Sequence, residues 1–216
     1  MFIDRRRRRW LVAALVVAVA LPVAGEELLD DFAQAVANDR VDVVARLLAR
    51  GMDANSVNAD GDTMLCLAAR NGNARTAQAL LGARANPNQP NRFGDTPLML
   101  ASLKGDLDIV RILQSGGAAV NMRGWSPLIY AATGGHDDVV AFLLAHGADM
   151  NARAPNDTTA LMMAIHEHHA GTARLLLARG ADFRVRNQDG ATALDWAKKA
   201  SEDDLVKELR RAGAKD

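Results

Sequence analysis

Three histidines in the segment HEHH, residues 166–169, form the densest group of metal-ligating side chains in this sequence. Residues three apart lie on the same face of a helix, so His166 and His169 would point together. A further imidazole, His136, occupies the position equivalent to His169 in the preceding repeat of a pattern described below. Converging imidazoles are ligands for zinc. The sequence therefore allows a metal-binding or metal-responsive protein that uses His136, His166 and His169.

The spacing of these histidines differs from that of zinc hydrolases. Ala170 stands four residues after His166, where the H-E-x-x-H pattern needs its second ligand. His168 is predicted to be a turn residue between two helices. The ordinary interpretation is a set of solvent-facing turn and helix histidines, and we predict no bound metal and keep the metal function as the alternative.

Cys66 is the single cysteine, and it stands in the apolar segment TMLCLAA. A nucleophilic thiol needs exposure and a nearby base, so we predict a buried, unreactive side chain. No Ser-His-Asp arrangement, glycine-rich phosphate loop or pair of carboxylates is evident. We predict a protein that is not an enzyme and uses no cofactor. A lone cysteine fits a bacterial periplasmic protein better than a small disulfide-rich secreted domain.

The first 25 residues have the layout of a secretory signal peptide. Arg5 to Arg9 form a basic block, the apolar run from Trp10 to Ala24 follows, and Gly25 is the best cleavage point. This run of 15 residues is shorter than the roughly 20 that a membrane span needs. We predict export to the periplasm or secretion with cleavage; a retained N-terminal anchor is the alternative.

Cleavage would change the charge of the chain. Loss of five arginines and one aspartate leaves 21 of the 26 basic and 25 of the 26 acidic residues, a net charge of −4. Nucleic acids and anionic lipids need a basic surface. We therefore expect neither nucleic acid nor membrane as a partner after cleavage.

A hydroxyl residue recurs through the rest of the chain at intervals of 33, 30, 33 and 33 residues. The positions are Thr63, Thr96, Ser126, Thr159 and Thr192. Seventeen residues later an apolar pattern ends each time on a leucine: Leu80, Leu113, Leu143, Leu176 and Leu209. A period of this length predicts a stacked repeat architecture. With a degenerate first copy that ends near Leu47, we predict six units, at about residues 28–58, 59–91, 92–121, 122–154, 155–187 and 188–216.

Two short helices are predicted in each unit. The hydroxyl residue caps the first helix, and Pro97 and Pro127 suit the first helical position. Left-handed residues, mostly glycines, end the helices, with Asp39, His168 and Ser201 in this role in three units. Arg84 replaces a C-cap glycine, and we predict about 1 kcal/mol of strain there.

The segments GDTPL and GWSPL, and the closing segments LLAHGADMN and LLARGAD, resemble the ankyrin repeat over residues 28–214. The resemblance implies an all-α solenoid of stacked helix-turn-helix units with projecting hairpin fingers. It also implies binding of other proteins through the finger tips and the exposed side of the first helices. The histidine that usually follows T-P-L in the family is replaced here by Cys66, Met99, Ile129, Met162 and Asp195. These replacements suggest a softer interior.

Offsets from each cap predict the positions that would meet a partner. The residue before the cap is Asp62, Asp95, Trp125 or Thr158, and Phe93 lies three before its cap. Seven or eight residues after a cap come Arg70, Leu103, Lys104 and His166. Apolar and aromatic positions in the middle, with charges around them, are typical of a binding hot spot with a polar rim.

One finger is shorter than the others. Asn55 and Asn151 each precede the next cap by eight residues, whereas Asn121 precedes Ser126 by five. Three missing residues remove roughly 10 Å of extended chain and predict a notch between the neighbouring fingers. Trp125 would stand at its base, where it either fills the notch or waits for a partner; Phe93 likewise either fills a gap between fingers or anchors a partner.

The predicted function is non-catalytic binding of another protein in the periplasm by a monomer. Phe93 and Trp125 would be the anchors. The charged side chains of Asp62, Asp95, Arg70 and Lys104 would set the orientation of the partner.

Overall fold

The computed structural model describes residue 25 and residues 27–215, and these contain twelve α-helices. In chain order they are α1 (27–37), α2 (Val41–Ala49), α3 (Met64–Asn71), α4 (Ala74–Gly82), α5 (Pro97–Lys104), α6 (Leu107–Ser115), α7 (Pro127–Gly134), α8 (Asp137–Ala145), α9 (Ala160–His166), α10 (Ala170–Ala178), α11 (Ala193–Lys199) and α12 (Asp203–Arg211).

The helices form two parallel rows. Helices α3, α5, α7, α9 and α11 contact one another in sequence, and so do α2, α4, α6, α8 and α10. From α3 onward, each odd-numbered helix also packs against the even-numbered helix that follows it. The predicted all-α solenoid of stacked helical pairs is confirmed.

The predicted caps are all present. The side-chain oxygens of Thr63, Thr96, Ser126, Thr159 and Thr192 each accept the backbone N–H three residues later. The five leucines at the end of the apolar pattern are completely buried: Leu80, Leu113, Leu143, Leu176 and Leu209. Caps therefore start the first helices, and the leucines hold the two rows together.

Left-handed backbone occurs where the sequence predicts it. Asp39, His168 and Ser201 have φ values of 51°, 61° and 58°, and Arg84 has a φ of 66°. Arg84 lacks the conformational freedom of a glycine. The strain expected at this position stays a prediction. Among the described non-glycine residues, one left-handed position was not predicted: Asp157, with a φ of 60°.

Five fingers connect successive helical pairs. We number them the first (residues 55–62), second (88–95), third (121–125), fourth (151–158) and fifth finger (184–191). They are turns rather than β-hairpin ladders, since the described residues contain only an isolated antiparallel bridge between Val57 and Thr63. In the first finger, the Asn58 side chain accepts the backbone N–H of Asp62, a bond that closes the turn without a ladder.

The predicted signal peptide lies outside the described residues, apart from residue 25. Among the helices that the structure describes, none combines the length and the apolar character needed to cross a membrane.

Candidate interaction surface

Asparagine side chains tie each finger to the next helical pair. Asn55, Asn88, Asn121 and Asn151 accept backbone N–H groups 31, 31, 28 and 31 residues later, at 2.7–2.9 Å. The bond of Asn121 is intact, so the shortening of the third finger falls after this residue, towards the tip. This ladder was not predicted, although the recurrence of asparagine at this register was visible in the sequence.

The first and second fingers are joined closely. The N–H of Arg92 donates to the carbonyl oxygen of Gly61 at 2.8 Å. The Asn91 side chain donates to Asp62 Oδ1 at 3.1 Å. We call these two fingers the closed finger pair.

Asp62 is not a free surface carboxylate, which corrects the prediction that it meets a partner. It is 2% exposed, and both of its oxygens bind the guanidinium of Arg70, at 2.5 Å for Oδ1. The second finger covers this carboxylate from above. The half-exposed Arg70 is therefore committed to an ion pair that stabilises the first finger.

Thr158 also departs from its predicted role. Its side chain is fully buried, and its hydroxyl oxygen has no hydrogen-bond partner within the described residues. The expectation of an exposed contact is wrong at Thr158, as it is at Asp62. The sequence does not reveal which of these positions a neighbouring finger covers.

Trp125 occupies the same register but stays open. Its indole is 38% exposed, and its edge packs against Tyr130 with ring centroids 6.2 Å apart at 89°. The Tyr130 hydroxyl donates to Asp95 Oδ1; burial, together with this carboxylate, raises the pKa of Tyr130. Asp95 is thus half-buried and partnered, and one part of the indole rests on the ring while another faces solvent.

Phe93 is the most exposed large apolar residue in the described part of the chain, at 68%. The Arg92 guanidinium lies 4.7 Å from the centre of its ring, so the ring does not fill a gap between fingers. The other exposed large apolar side chains are Val57, Leu103, Met122 and Trp125. We call these five residues the apolar surface.

Two predicted contact residues, the rim residue Lys104 and the apolar Leu103, lie at the end of α5. Lys104 is exposed and donates from Nζ to the backbone oxygen of Arg70 at 3.3 Å. Leu103 is 41% exposed and its carbonyl oxygen accepts from His136 Nε2 at 2.9 Å. The ends of α3 and α5 therefore lie side by side, with Lys104 and Leu103 available at the edge of the apolar surface.

The histidines have separate partners. The rings of His136 and His169 lie over Gly105 and Gly135, where an added Cβ would come within 2.3 and 2.4 Å of their Nδ1 atoms. These glycines must therefore lack side chains to make room for the imidazoles. Among the described residues no group of three or more His, Cys, Asp or Glu side chains is placed to hold a metal ion.

His166 has a different aromatic partner from that of Trp125. Its ring packs on Trp196 at 5.2 Å between centroids, and Nδ1 is 2.9 Å from the Glu167 carboxylate. It belongs to an open groove of about 540 Å³ at the last two helical pairs, lined also by Asp195 and Lys199. The predicted surface is therefore divided between the second and third fingers and this groove.

Cys66 lies beneath the second finger, completely buried. Its Sγ atom is 3.7 Å from the carbonyl oxygen of Gln89 and 3.5 Å from that of Asp95. Burial raises the pKa of the thiol to about 11. The prediction of a buried cysteine is confirmed, and the thiolate that a nucleophile needs is disfavoured.

A family model described as ankyrin repeats (3 copies) matches the chain over residues 32–123, 75–154 and 149–215. No curated protein matches the chain. The three matches run together through nearly all of the described helices, and the stacked pairs with their caps and fingers agree with them. The chain belongs to the ankyrin-repeat family.

Proposed function

We propose that this chain binds another protein, without catalysis, through the apolar surface and its charged rim. Ankyrin repeats are generally protein–protein interaction modules, and the family is generally non-enzymatic. The observation that carries the proposal is where the exposed large apolar side chains lie. Those of the described residues all fall on the first three fingers and the end of α5.

Such a grouping is the usual mark of an interaction site. Exposed apolar side chains scattered singly need no explanation, but a group on one part of a surface does. Phe93 and Trp125 are large aromatic side chains, and such side chains supply much of the binding energy in hot spots. The cations Arg92, Lys104 and Arg123 are exposed around them and form the polar rim.

The test compares two pairs of aromatic residues. We expect Phe93→Ala with Trp125→Ala to remove partner proteins recovered on a C-terminally tagged chain. The control is Phe183→Ala with Trp196→Ala, which removes the same ring types from another part of the solenoid, where both rings are half-buried against the core. Phe183 carries Arg184 over its ring at 4.8 Å, as Phe93 carries Arg92. Far-ultraviolet circular dichroism checks that both variants are folded. Partners that remain with the first variant would contradict the proposal.

We also propose that residues 1–25 direct export to the periplasm and are then removed. The support is the order of a basic block, an apolar run and a small residue at position 25. The tagged chain, expressed in a Gram-negative host, should appear in the periplasmic fraction with Glu26 as its first residue. Recovery from the cytosol with an intact N-terminus would overturn this, and recovery of the uncleaved chain in membranes would indicate a retained anchor instead.

A further inference from the structure

Backbone hydrogen bonds join neighbouring fingers where both are full-length. Arg92 N–H donates to Gly61 O at 2.8 Å between the first and second fingers. Gln188 N–H donates to Asn156 O at 3.0 Å between the fourth and fifth. The donor lies four residues before its cap in both cases. A finger therefore offers a carbonyl oxygen near its tip to the N–H group of the next finger.

Within the described residues, the third finger makes no such bond with either neighbouring finger. Gly94 holds the register of Gly61, and no hydrogen bond in the described part of the chain ends on its carbonyl oxygen. On the far side, Pro155 holds the register of Arg92 and Gln188, and proline has no N–H to donate. The notch thus has an open acceptor on one wall and no unsatisfied donor on the other.

Exposed apolar side chains belong to the two fingers on either side of this open acceptor. Phe93 precedes Gly94 directly, and Met122 and Trp125 belong to the shortened finger. Trp125 is linked to the second finger through Tyr130 and Asp95. The notch is therefore bordered by two exposed rings, one from each finger.

The free charge at the notch is positive. Arg123 is exposed and forms no ion pair with the other described residues. The carboxylates of the neighbouring fingers have partners of their own: Asp95 accepts from the Tyr130 hydroxyl, and Asp157 lies 3.7 Å from Arg153. An acidic group that enters the notch would meet an unpaired guanidinium and no unpartnered carboxylate.

We propose that the notch binds a segment of another protein that takes the place of the missing finger tip. The segment donates a backbone N–H to Gly94 O, lays an apolar side chain against Phe93 and Trp125, and pairs an acidic side chain with Arg123. This inference rests on the proposed function and specifies the chemistry of the partner. Main-chain bonds supply affinity in such strand-like docking, and the side chains supply specificity.

A refilled finger tests the geometry. Insertion of Pro-Asn-Arg between Met122 and Arg123 copies Pro90, Asn91 and Arg92 of the second finger and restores the eight-residue interval. The insertion closes the notch while keeping Phe93, Trp125 and Arg123 in the chain. The probe is a library of random 12-residue peptides selected on the tagged chain, with individual synthetic peptides then measured by calorimetry.

We expect selected peptides to combine an acidic residue with a neighbouring apolar one. Their affinity should fall about tenfold or more in the refilled variant and in Trp125→Ala. When the backbone nitrogens of the peptide are methylated one at a time, a similar loss of affinity should occur at a single position, the one that donates to Gly94 O. Peptides without acidic residues, or binding that survives in the refilled variant, would overturn the inference.

A charge exchange decides the matter if the refilled variant fails to fold. Arg123→Glu should weaken the selected acidic peptides about tenfold, and replacing their acidic residue with lysine should restore binding to this variant. Unchanged binding would overturn the inference. Light scattering tests a second copy of the chain as the occupant: a dimer that forms in the unaltered chain and is lost in the refilled variant would also overturn it. If partner proteins are lost from Phe93→Ala with Trp125→Ala but kept by the refilled chain, the binding site in the notch is wrong and the proposed function stands. If both variants keep the partners, the proposed function is wrong as well.

Discussion

The closed finger pair and the notch are built at the same register, yet their side chains have opposite environments. Asp62 and Trp125 both precede a helix cap. Asp62 is buried in an ion pair beneath the second finger, whereas Trp125 is 38% exposed beside the shortened one. In the first case the side chain stabilises its finger, and in the second it is available to a partner.

A difference of three residues in finger length accounts for this contrast. The helical pairs beneath both regions begin at equivalent caps, Thr63 and Ser126, and contain equivalent buried leucines, Leu80 and Leu143. The shortening removes the turn residue equivalent to Asn58 and Asn91, whose side chains close the first two fingers. Exposure at the register before the cap therefore depends on the neighbouring finger rather than on the residue itself.

The largest effect that we expect comes from the thiol beneath the closed finger pair. The pKa of Cys66 is raised from 9.0 to about 11, so between these pH values the folded chain keeps a proton that the unfolded chain loses. Stability is therefore full below pH 9 and falls by about 2–3 kcal/mol as the pH rises to 11. Urea titrations at several pH values measure it, and Cys66→Ala should remove this part of the slope while leaving that of Tyr130. An unchanged slope in Cys66→Ala would show that water reaches the thiol.

The buried ion pair should follow in size. Asp62→Ala removes a carboxylate bound by Arg70 and Asn91, and we expect the free energy of unfolding to fall by about 2 kcal/mol, since Arg70 can then turn to solvent. Asp60→Ala, at an exposed position of the same finger, is the matched control and should change stability by about 0.5 kcal/mol or less. Equal effects of the two substitutions in urea denaturation would contradict the buried role of Asp62.

Local chemistry made the scaffold predictable from sequence. A hydroxyl before a helix, a residue that tolerates left-handed backbone after it and a leucine at a fixed offset each act within one helical pair. The caps from Thr63 to Thr192, the left-handed Arg84 and the buried Leu113 all followed from such signals. These features need no knowledge of the neighbouring pair.

Contacts between neighbouring pairs were less predictable. The partners of Asp62 lie on another helix and another finger, and Thr158 looks like any polar finger residue until its burial is known. His136 and His169 suggested ligands, but their rings fill spaces over glycines of the preceding pair. The sequence located the short finger correctly, because an interval can be counted, but it left open whether Trp125 was covered.

Thiol labelling can compare the two finger types directly. Cys66, Met99 and Met162 each lie three residues after a cap and are buried. In a Cys66→Ala background, this register places Met99→Cys beneath the short third finger and the control Met162→Cys beneath the full-length fifth. We expect Met99→Cys to react about tenfold faster with a thiol reagent in the folded chain, because no backbone hydrogen bond in the described residues joins the short finger to a neighbouring finger. Equal rates would mean that finger length does not control local opening.

The smallest effect that we expect is at Thr158, which also precedes a helix cap but is buried without a hydrogen-bond partner for its hydroxyl in the described residues. Thr158→Val keeps the shape of the side chain and removes a hydroxyl that is shielded from water and has no hydrogen-bond partner in the described residues. We expect the free energy of unfolding to rise by about 0.5–1 kcal/mol. Thr159→Val, one residue later, removes the hydroxyl that caps α9 and should lower stability by about 1 kcal/mol. Urea denaturation should therefore show a higher free energy of unfolding for Thr158→Val and a lower one for Thr159→Val. A lower value for both variants would mean that the Thr158 hydroxyl makes a stabilising hydrogen bond of its own.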